Sequence, residues 1–281
     1  MPQYSAEDVG GKKVERVERI IRNDIEAGRL RDGEALASSR DLADQMGVST
    51  WAVNKAMEHL VKDGLVEAVS RSRRIVRSGI TSPTANGEPH QPHTFLIGGY
   101  AGSGKSELSR VLSRLTGTAI IDKDTTTRAV VERLLEELGQ PAHDRESQTY
   151  LEQVRPHEYE AVLATIQENA DVGVGLVVTA PFIREFQDAA WIERVNTRLN
   201  AAGVGLTLVW VRCDASTMHT YLKRRGAARD TGKLADWNHY VAGINLDFLP
   251  VADHVIIDNS ASSEPLQSQA TKMLATVTAA A

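Results

Sequence analysis

The stretch "TFLIGGYAGSGKS", residues 94–106, decides the fold of the larger part of this chain. It begins with an apolar run typical of a buried strand and continues into the P-loop spacing Gly99-x-x-x-x-Gly104-Lys105-Ser106. Glycines suit such a loop because its backbone must wrap closely around phosphate groups and point N–H groups at them. The next residues, "SELSRVLSRL", predict a helix whose positive end faces the anion. The sequence therefore predicts a phosphate site between a strand and a helix.

The chemistry expected at this loop is the binding of ATP with Mg²⁺. Lys105 is expected to reach the β- and γ-phosphates, and the Ser106 hydroxyl is expected to ligate Mg²⁺. The residues expected to contact the nucleotide are Gly99, Ala101, Gly102, Ser103, Gly104, Lys105, Ser106 and Glu107.

Two carboxylates close the next predicted strand, "TGTAIIDKD" (residues 116–124). Asp122 and Asp124 are two positions apart, so in an extended segment both would point to the same face. We expect Asp122 to hold Mg²⁺ or its waters and Asp124 to accept the proton of an attacking hydroxyl. The alternative is a solvated turn. Because open α/β sheets bind ligands at the carboxyl ends of their strands, the position favours a functional pair.

Three further apolar runs predict buried strands: "VGVGLVVTAPF" (172–182), "VGLTLVWVRCD" (204–214) and "HVIIDNS" (254–260). Their alternation with helical segments predicts the α/β class, as a three-layer α/β/α domain around a parallel sheet. The segment "MHTYLKRRGAARD" (218–230) predicts one helix with four basic residues, Lys223, Arg224, Arg225 and Arg229. In an acidic domain this cluster fits an arginine lid over phosphate charge.

The N-terminal part reads as three helices followed by a hairpin. Val14, Val17, Ile20, Ile21 and Ile25 share one helical face. The second and third helices are predicted to begin at the N-caps Ser38 and Ser49, and the three helices are predicted to end at Gly28, Gly47 and Gly64. The residues "LVEAVSRSRRIVR" (65–77) predict two short strands, with Arg71, Arg73 and Arg74 near the tip.

The segment "ITSPTANGEPHQPH" (80–93) is rich in turn-forming residues and predicts a linker. We therefore place domains at residues 11–78 and 94–281, joined by residues 79–93. His90 and His93 are expected to be solvated linker residues, since no cysteine or carboxylate cluster accompanies them to form a metal site.

Charge is divided unevenly between the two parts. Residues 11–77 contain 14 Lys and Arg and 11 Asp and Glu, a balance of +3, whereas the whole chain carries −5, which leaves −8 for the remainder. Nucleic acid should therefore contact the N-terminal part only. The sequence has no signal-like start and no apolar run long enough to span a membrane, so we expect a cytoplasmic protein.

The first part resembles the GntR-type winged helix-turn-helix family over about residues 12–77. The resemblance rests on "IEAGRLRDGEALASSRDLADQMGVSTWAVNKAMEHLVKDGLV" (25–66). It implies that the third helix enters a DNA major groove, that Arg40 contacts a phosphate and that the hairpin forms a wing. The family usually has arginines where this chain has Thr50 and Asn54, and glycines where it has Arg71 and Arg73. The expected DNA contacts are Arg40, Ser49, Thr50, Trp51, Asn54, Lys55, Arg71, Arg73 and Arg74.

The second part resembles P-loop kinases of the nucleoside-monophosphate-kinase type, including shikimate kinase, gluconate kinase, chloramphenicol phosphotransferase and the zeta toxins. The motifs are "GGYAGSGKS", "IDKD" and "KRRGAARD". The resemblance implies catalytic roles for Lys105, Asp124, Arg225 and Arg229, and it places Arg128 and Arg155 beside an anionic or polyhydroxyl substrate. Thr179 stands where motor ATPases have an aspartate.

Three functions remain open on these residues. The first is a transcriptional regulator that binds an operator as a homodimer and senses ATP–Mg²⁺, with or without a small metabolite. The second is a working small-molecule kinase whose winged helix only localises or dimerises it, since winged helices also serve as protein-docking modules. The third is a toxin-like kinase with an autoregulatory DNA-binding segment.

Overall fold

The computed structural model describes residues 6–70, 73–77 and 92–280. The helices are α1 (Ala6–Glu26), α2 (Ser39–Met46), α3 (Thr50–Lys62), α4 (Lys105–Thr116), α5 (Lys123–Glu137), α6 (Arg155–Asp171), α7 (Ala189–Ala201), α8 (Ala215–Arg225), α9 (Thr231–Ala235), α10 (Trp237–Ala242) and α11 (Leu266–Ala280). The strands are β1 (Val66–Ala68), β2 (Arg74–Val76), β3 (His93–Gly98), β4 (Ile120–Asp122), β5 (Val177–Thr179), β6 (Gly205–Arg212) and β7 (His254–Asp258).

The N-terminal helices form as their sequence predicts, because their signals are local. The apolar stripe of α1 is buried against α2 and α3. Ser38 caps α2 by accepting the Asp41 N–H, and Ser49 caps α3 by accepting the Ala52 N–H. Gly47 ends α2 with a φ of 63°, a left-handed conformation that glycine adopts at little cost.

The predicted wing is present as an antiparallel pair of β1 and β2, with Val66 opposite Val76. Ala35 adds an isolated bridge to Ile75, which ties the segment before α2 to the wing. Helices α1 to α3 and the wing therefore form a winged helix-turn-helix with one apolar core.

The second part is built on a five-stranded sheet in the order β4-β5-β3-β6-β7, in which all described pairings are parallel. Alternate residues of β3 face opposite sides. Leu96 packs in a cluster with α6 and α7, and Phe95 and Ile97 pack in a cluster with α4 and α11. The α/β/α layering predicted from the sequence is confirmed.

Two local predictions are wrong. His93 is not a solvated linker residue: it begins β3, and its Nε2 lies 2.8 Å from Thr207 Oγ1. The segment 218–230 is not one helix, because α8 ends at Gly226, whose φ is 59°. Arg229 follows this break in a short 3₁₀ turn (Ala228–Asp230). His90 and most of the predicted linker, like Arg71, lie outside the described residues.

The two parts are in direct contact through α1. Ala27, which directly follows α1, packs in the apolar cluster of α4 and α11, while Tyr221 of α8 packs in the winged-helix core. Polar residues of α1 complete the contact: Arg19 donates to the Glu264 carbonyl at 2.6 Å, and Glu26 accepts the Gln267 N–H at 3.1 Å. The polar side of α1 is thus buried in part against the second part.

Among the described residues, no helix combines the length and apolar character that crossing a membrane requires.

Candidate functional site

The P-loop connects β3 to α4 in the predicted order. Gly102 and Gly104 have φ values of 80° and 102°, which L side chains rarely adopt. A Cβ on Gly104 would lie only 2.1 Å from Asn259 Nδ2, so glycine is required there for space as well. The loop backbone is therefore preformed to surround an anion at the start of α4.

Lys105 lies over this loop, where its Nζ donates to the Gly99 carbonyl at 2.8 Å and to the Tyr100 carbonyl at 2.9 Å. Burial and the nearby Arg225 guanidinium lower the pKa of Lys105 to about 8, while Asp124 and Asp122 partly oppose this shift. A bound phosphate would place a negative charge beside Lys105 and so stabilise its charged form.

Ser106 and Asp122 provide a pair of oxygen donors at the start of α4. Ser106 Oγ lies 3.4 Å from Asp122 Oδ2, and the other Asp122 oxygen caps α5 by accepting the Thr125 N–H at 3.0 Å. A hydroxyl and a carboxylate beside a phosphate loop suit Mg²⁺, which usually takes one or two protein oxygens together with phosphate and water. The predicted metal-binding residues therefore fit that ion.

Asp124 reaches the site, but by a different geometry from the predicted one. β4 ends at Asp122, so Asp124 lies in the first turn of α5 and not in an extended segment. Its carboxylate pairs with Lys123 Nζ at 3.0 Å and with Arg229 Nη1 at 2.9 Å. Burial opposes ionisation, but Lys123 and Arg229 outweigh it and hold the pKa of Asp124 at about 2.

The three arginines expected to form a lid are paired with carboxylates. Arg225 donates from Nε and Nη2 to Asp230 Oδ2, at 2.8 Å and 2.5 Å. Arg229 holds Asp124 as described, and Arg224 pairs with Asp24 of α1. Each of these guanidiniums must therefore break its ion pair with a carboxylate before all of its donors can bind phosphate.

The predicted substrate residues line the same cavity on the side of β4. Arg128 is exposed on α5, and Arg155 begins α6, where its Nη2 pairs with Glu185 at 2.8 Å. The Arg155 guanidinium also lies 4.1 Å from the centre of the Tyr159 ring. The charge and aromatic surface fit an anionic acceptor or effector.

The sequence reasoning missed a buried group beneath Asp124. Lys123 Nζ lies 2.7 Å from Glu158 Oε1, and Tyr150 and Thr127 donate hydroxyl hydrogen bonds to the same carboxylate. Glu158 of α6 lies four residues from each of two buried valines, Val154 just before the helix and Val162 within it. A carboxylate on a buried helical stripe was the available signal, since such a group needs a partner.

The cavity around these residues has a volume of about 1290 Å³, ample for a nucleotide and a second small molecule. It extends from the β4 side of the P-loop to the opposite side, where Asp24 and Arg29 of the N-terminal part also line it. No sequence signal marked these two residues, because their place in the cavity depends on how the two parts pack.

The predicted DNA-contacting residues of α3 lie at its exposed N-terminal end. Trp51 is 60% exposed, and Thr50 and Lys55 are also exposed. Lys55 pairs with Glu58 at 2.7 Å. The Ser49 hydroxyl is used as the helix cap, so its contact with DNA would compete with capping.

The arginines of the wing differ in their surroundings. Arg74 does not extend away from the domain: its Nη1 donates to Ser39 Oγ at 2.8 Å and its Nη2 to Asn54 Oδ1 at 3.3 Å. Arg73 is exposed, as is Arg40 on α2. Arg74 thus supports the orientation of Asn54 on α3.

Two family models match this chain. Residues 13–76 match "Bacterial regulatory proteins, gntR family", and residues 95–246 match "AAA domain". The vitamin B6 salvage pathway transcriptional repressor PtsJ of Salmonella typhimurium is 33% identical over 113 residues, which are 39% of this chain and 26% of that protein. The HTH-type transcriptional regulator SmoD of Agrobacterium fabrum is 38% identical over 61 residues, which are 22% of this chain and 26% of that protein.

The chain thus matches about a quarter of the length of each of these relatives. Among solved structures, a gluconokinase from Sinorhizobium meliloti aligns with a TM-score of 0.44 and 17% identity, covering 68% of this chain and 95% of the gluconokinase chain.

Proposed function

Because the chain belongs to the AAA domain family and carries a gntR-type helix-turn-helix before that domain, we propose that it is a DNA-binding transcriptional regulator that senses ATP–Mg²⁺. The kinase-like domain is the effector domain, and a small metabolite on the β4 side of the cavity is a second signal. The names of PtsJ and SmoD, both transcriptional regulators, support this proposal.

One observation carries the proposal more than any other: the DNA-reading domain is bonded to the P-loop itself. Asn23 of α1 donates to Asn259 Oδ1 at 2.7 Å, and Asn259 donates to the carbonyl of Ser103 at 3.1 Å. Only one residue separates the winged helix from the loop that would hold the phosphates. Such a path suits a protein in which nucleotide and DNA affect each other.

The chemistry of the P-loop and of the winged helix supports the ligands and the assembly that we propose. ATP is held by the P-loop and Lys105, and Mg²⁺ by Ser106 and Asp122. Mg²⁺ held there would neutralise part of the phosphate charge. The winged helices act as a cytoplasmic homodimer on a two-fold symmetric operator, because each recognition helix reads only a short half-site.

The experiment is a binding measurement with the full chain on genomic duplex fragments and on random duplex at physiological salt. The proposal requires a preferred fragment, a dimeric complex and saturable binding of ATP–Mg²⁺. A monomeric chain with equal affinity for all duplexes would refute the regulator function.

A second candidate function is small-molecule phosphotransfer, and the position of Asp124 favours it. This carboxylate lies with Lys105, the Ser106–Asp122 pair and Arg229 around one cavity, which is more than nucleotide sensing requires. Against it, a carboxylate with a pKa of about 2 is a weak proton acceptor while Lys123 and Arg229 hold it.

The two functions are separated by Asp124→Asn and a screen of acceptors with labelled ATP. If the domain is a kinase, the variant keeps its affinity for ATP and loses phosphotransfer, since the amide cannot accept the hydroxyl proton. A wild-type protein that binds ATP and labels no acceptor supports sensing alone.

A further inference from the structure

The cavity has two sides, which the order of the strands defines. β3 carries the P-loop at the centre of the sheet, with β5 and β4 on one side and β6 and β7 on the other. Asp124, Arg155 and Tyr159 line the β4 side. On the opposite side the lining comes from Asp24 and Arg29 of the N-terminal part and from Arg224 of α8.

A nucleotide anchored by its phosphates at the P-loop must direct its nucleoside to one of these sides. The metal-binding role proposed for Asp122 and the acceptor role proposed for Asp124 require the transferable end of the triphosphate to face these two residues. The nucleoside therefore extends to the other side, where Arg29 and Arg224 line the cavity.

Arg29 and Arg224 come from different domains but are held by the same carboxylate. Arg29 Nη2 lies 2.6 Å from Asp24 Oδ1, and Arg224 Nη2 pairs with Asp24 Oδ2. Arg29 Nη1 also lies 2.8 Å from Glu107 Oε1, in the first turn of the P-loop helix. Asp24 itself is 1% exposed, whereas the Arg29 side chain is 29% exposed and the Arg224 side chain 31%.

This geometry fixes the chemical role of each group. Both oxygens of the Asp24 carboxylate are paired with guanidiniums, so its role is to position them. A partly exposed guanidinium can stack on a heteroaromatic base or donate to ribose oxygens, and Asp24 and Glu107 fix the orientation of Arg29.

We propose that Arg29 of the DNA-reading domain is part of the nucleotide site and contacts the nucleoside of the bound nucleoside triphosphate, with Asp24 as its positioning residue. The inference rests on the proposed function in requiring that the P-loop binds a nucleotide. It goes further because the site is then completed by the winged-helix domain, so nucleotide binding favours the docked position of that domain.

The test compares ATP with inorganic triphosphate, each with Mg²⁺, by calorimetry on the full chain. Arg29→Ala should weaken ATP binding by about tenfold and leave triphosphate binding unchanged, since triphosphate has no nucleoside. Arg29→Lys should restore little of the loss, because an ammonium lacks the planar face. Arg31→Ala is the matched control, an exposed arginine of the same domain that does not line the cavity, and it should match the wild type with both ligands.

Equal ATP affinity in Arg29→Ala and the wild type would overturn the inference while leaving the proposed function intact. Equal weakening of ATP and triphosphate would also overturn it, because Arg29 would then act only through its charge on the phosphates. A wild-type chain that binds triphosphate but not ATP, or neither ligand, would remove the proposed function and this inference together.

Hydrogen exchange provides a measurement on the wild type that does not depend on the folding of a variant. Saturating ATP–Mg²⁺ should slow exchange in residues 20–29 more than Mg²⁺–triphosphate does, and α2 should change equally with both ligands. Identical protection of residues 20–29 by the two ligands would contradict the inference.

Discussion

Lys105 is the residue that we expect to make nucleotide binding depend on pH. Its pKa of about 8 in the free protein, lowered by burial and by Arg225, means that the group loses its proton as the pH rises through that value. A phosphate binds the charged form, so binding must restore the proton above pH 8. We expect affinity for ATP–Mg²⁺ to be nearly constant from pH 7 to about 8 and then to fall by up to about tenfold per pH unit.

Isothermal titration at several pH values between 7 and 9.5 checks this prediction, with Lys105→Arg as the control. A guanidinium remains charged throughout that range, so the variant should bind ATP with a pH-independent affinity, whatever its absolute strength. Parallel pH profiles for the two proteins would assign the loss to another group.

The wing and the recognition helix are connected by Arg74, and this distinguishes two arginines that look equivalent in the sequence. Arg73 is exposed, so Arg73→Ala should weaken binding to all duplexes and lower the salt slope by about one. Arg74→Ala should instead lower the preference for the operator over random duplex, because Asn54 loses a hydrogen-bond donor that holds its Oδ1. Fluorescence titrations of both duplexes at several salt concentrations separate the effects. Equal losses of preference in both variants would contradict the positioning role of Arg74.

The elements that the sequence predicts well are those whose signals are local. The stripe and caps of α1 to α3, the glycine loop and the apolar strands all depend on neighbouring residues, and they form where expected. The errors arise where two local signals compete, as at Asp122 and Gly226, or where a residue joins a distant strand, as His93 does. Period-two alternation placed Asp122 and Asp124 on one strand face, but a cap at Asp122 starts α5 between them.

Only the part of the candidate site that has local sequence signals could be predicted. A P-loop carries its own sequence pattern, and Lys105, Ser106 and Asp122 are brought together as expected. The partners of Arg224 and of Asn259 are more than 190 positions away in the sequence, on α1. The periodicity of the sequence does not reveal these contacts. The apolar face of α1 alone accounts for its helical pattern, so the pattern gives no sign that its polar residues also have partners.

The contact between the two domains is made largely by polar groups, and Asn259 is its centre. The residue is fully buried, donates to Ser103 and accepts from Asn23. Asn259→Ala leaves the Ser103 carbonyl without this donor and leaves Asn23 with its hydrogen bond to Tyr221 alone, which should cost about 1–3 kcal/mol. The thermal midpoint should fall by several degrees, measured by scanning calorimetry. Ser262→Ala, in the exposed part of the same loop, should leave it unchanged, and equal midpoints in all three proteins would mean that the contact contributes no stability.

Communication between nucleotide and DNA can be tested on the whole protein through this contact. ATP–Mg²⁺ can change DNA affinity only if it binds the docked and undocked arrangements unequally. Couplings of this kind are about 1–3 kcal/mol, so we expect roughly a 5- to 150-fold change in operator affinity, and DNA must change ATP affinity by the same factor. Asn23→Ala removes the hydrogen bond from α1 to Asn259 without touching α3. It should therefore keep DNA binding and ATP binding and lose the part of the coupling that passes through Asn259, while the part that passes through Arg29 remains.

Lys105→Ala should give a different result, in which DNA binding persists and ATP has no effect because the phosphate anchor is gone. A third variant replaces residues 79–91 by Gly and Ser at equal length. It should retain the coupling, since the hydrogen-bonded path through Asn23 and Asn259 does not pass through that segment. Titrations of labelled operator with and without saturating ATP–Mg²⁺ compare the three variants with the wild type. Coupling that survives in Asn23→Ala but disappears in the replaced segment would show that the signal travels along the chain and not across the α1 contact.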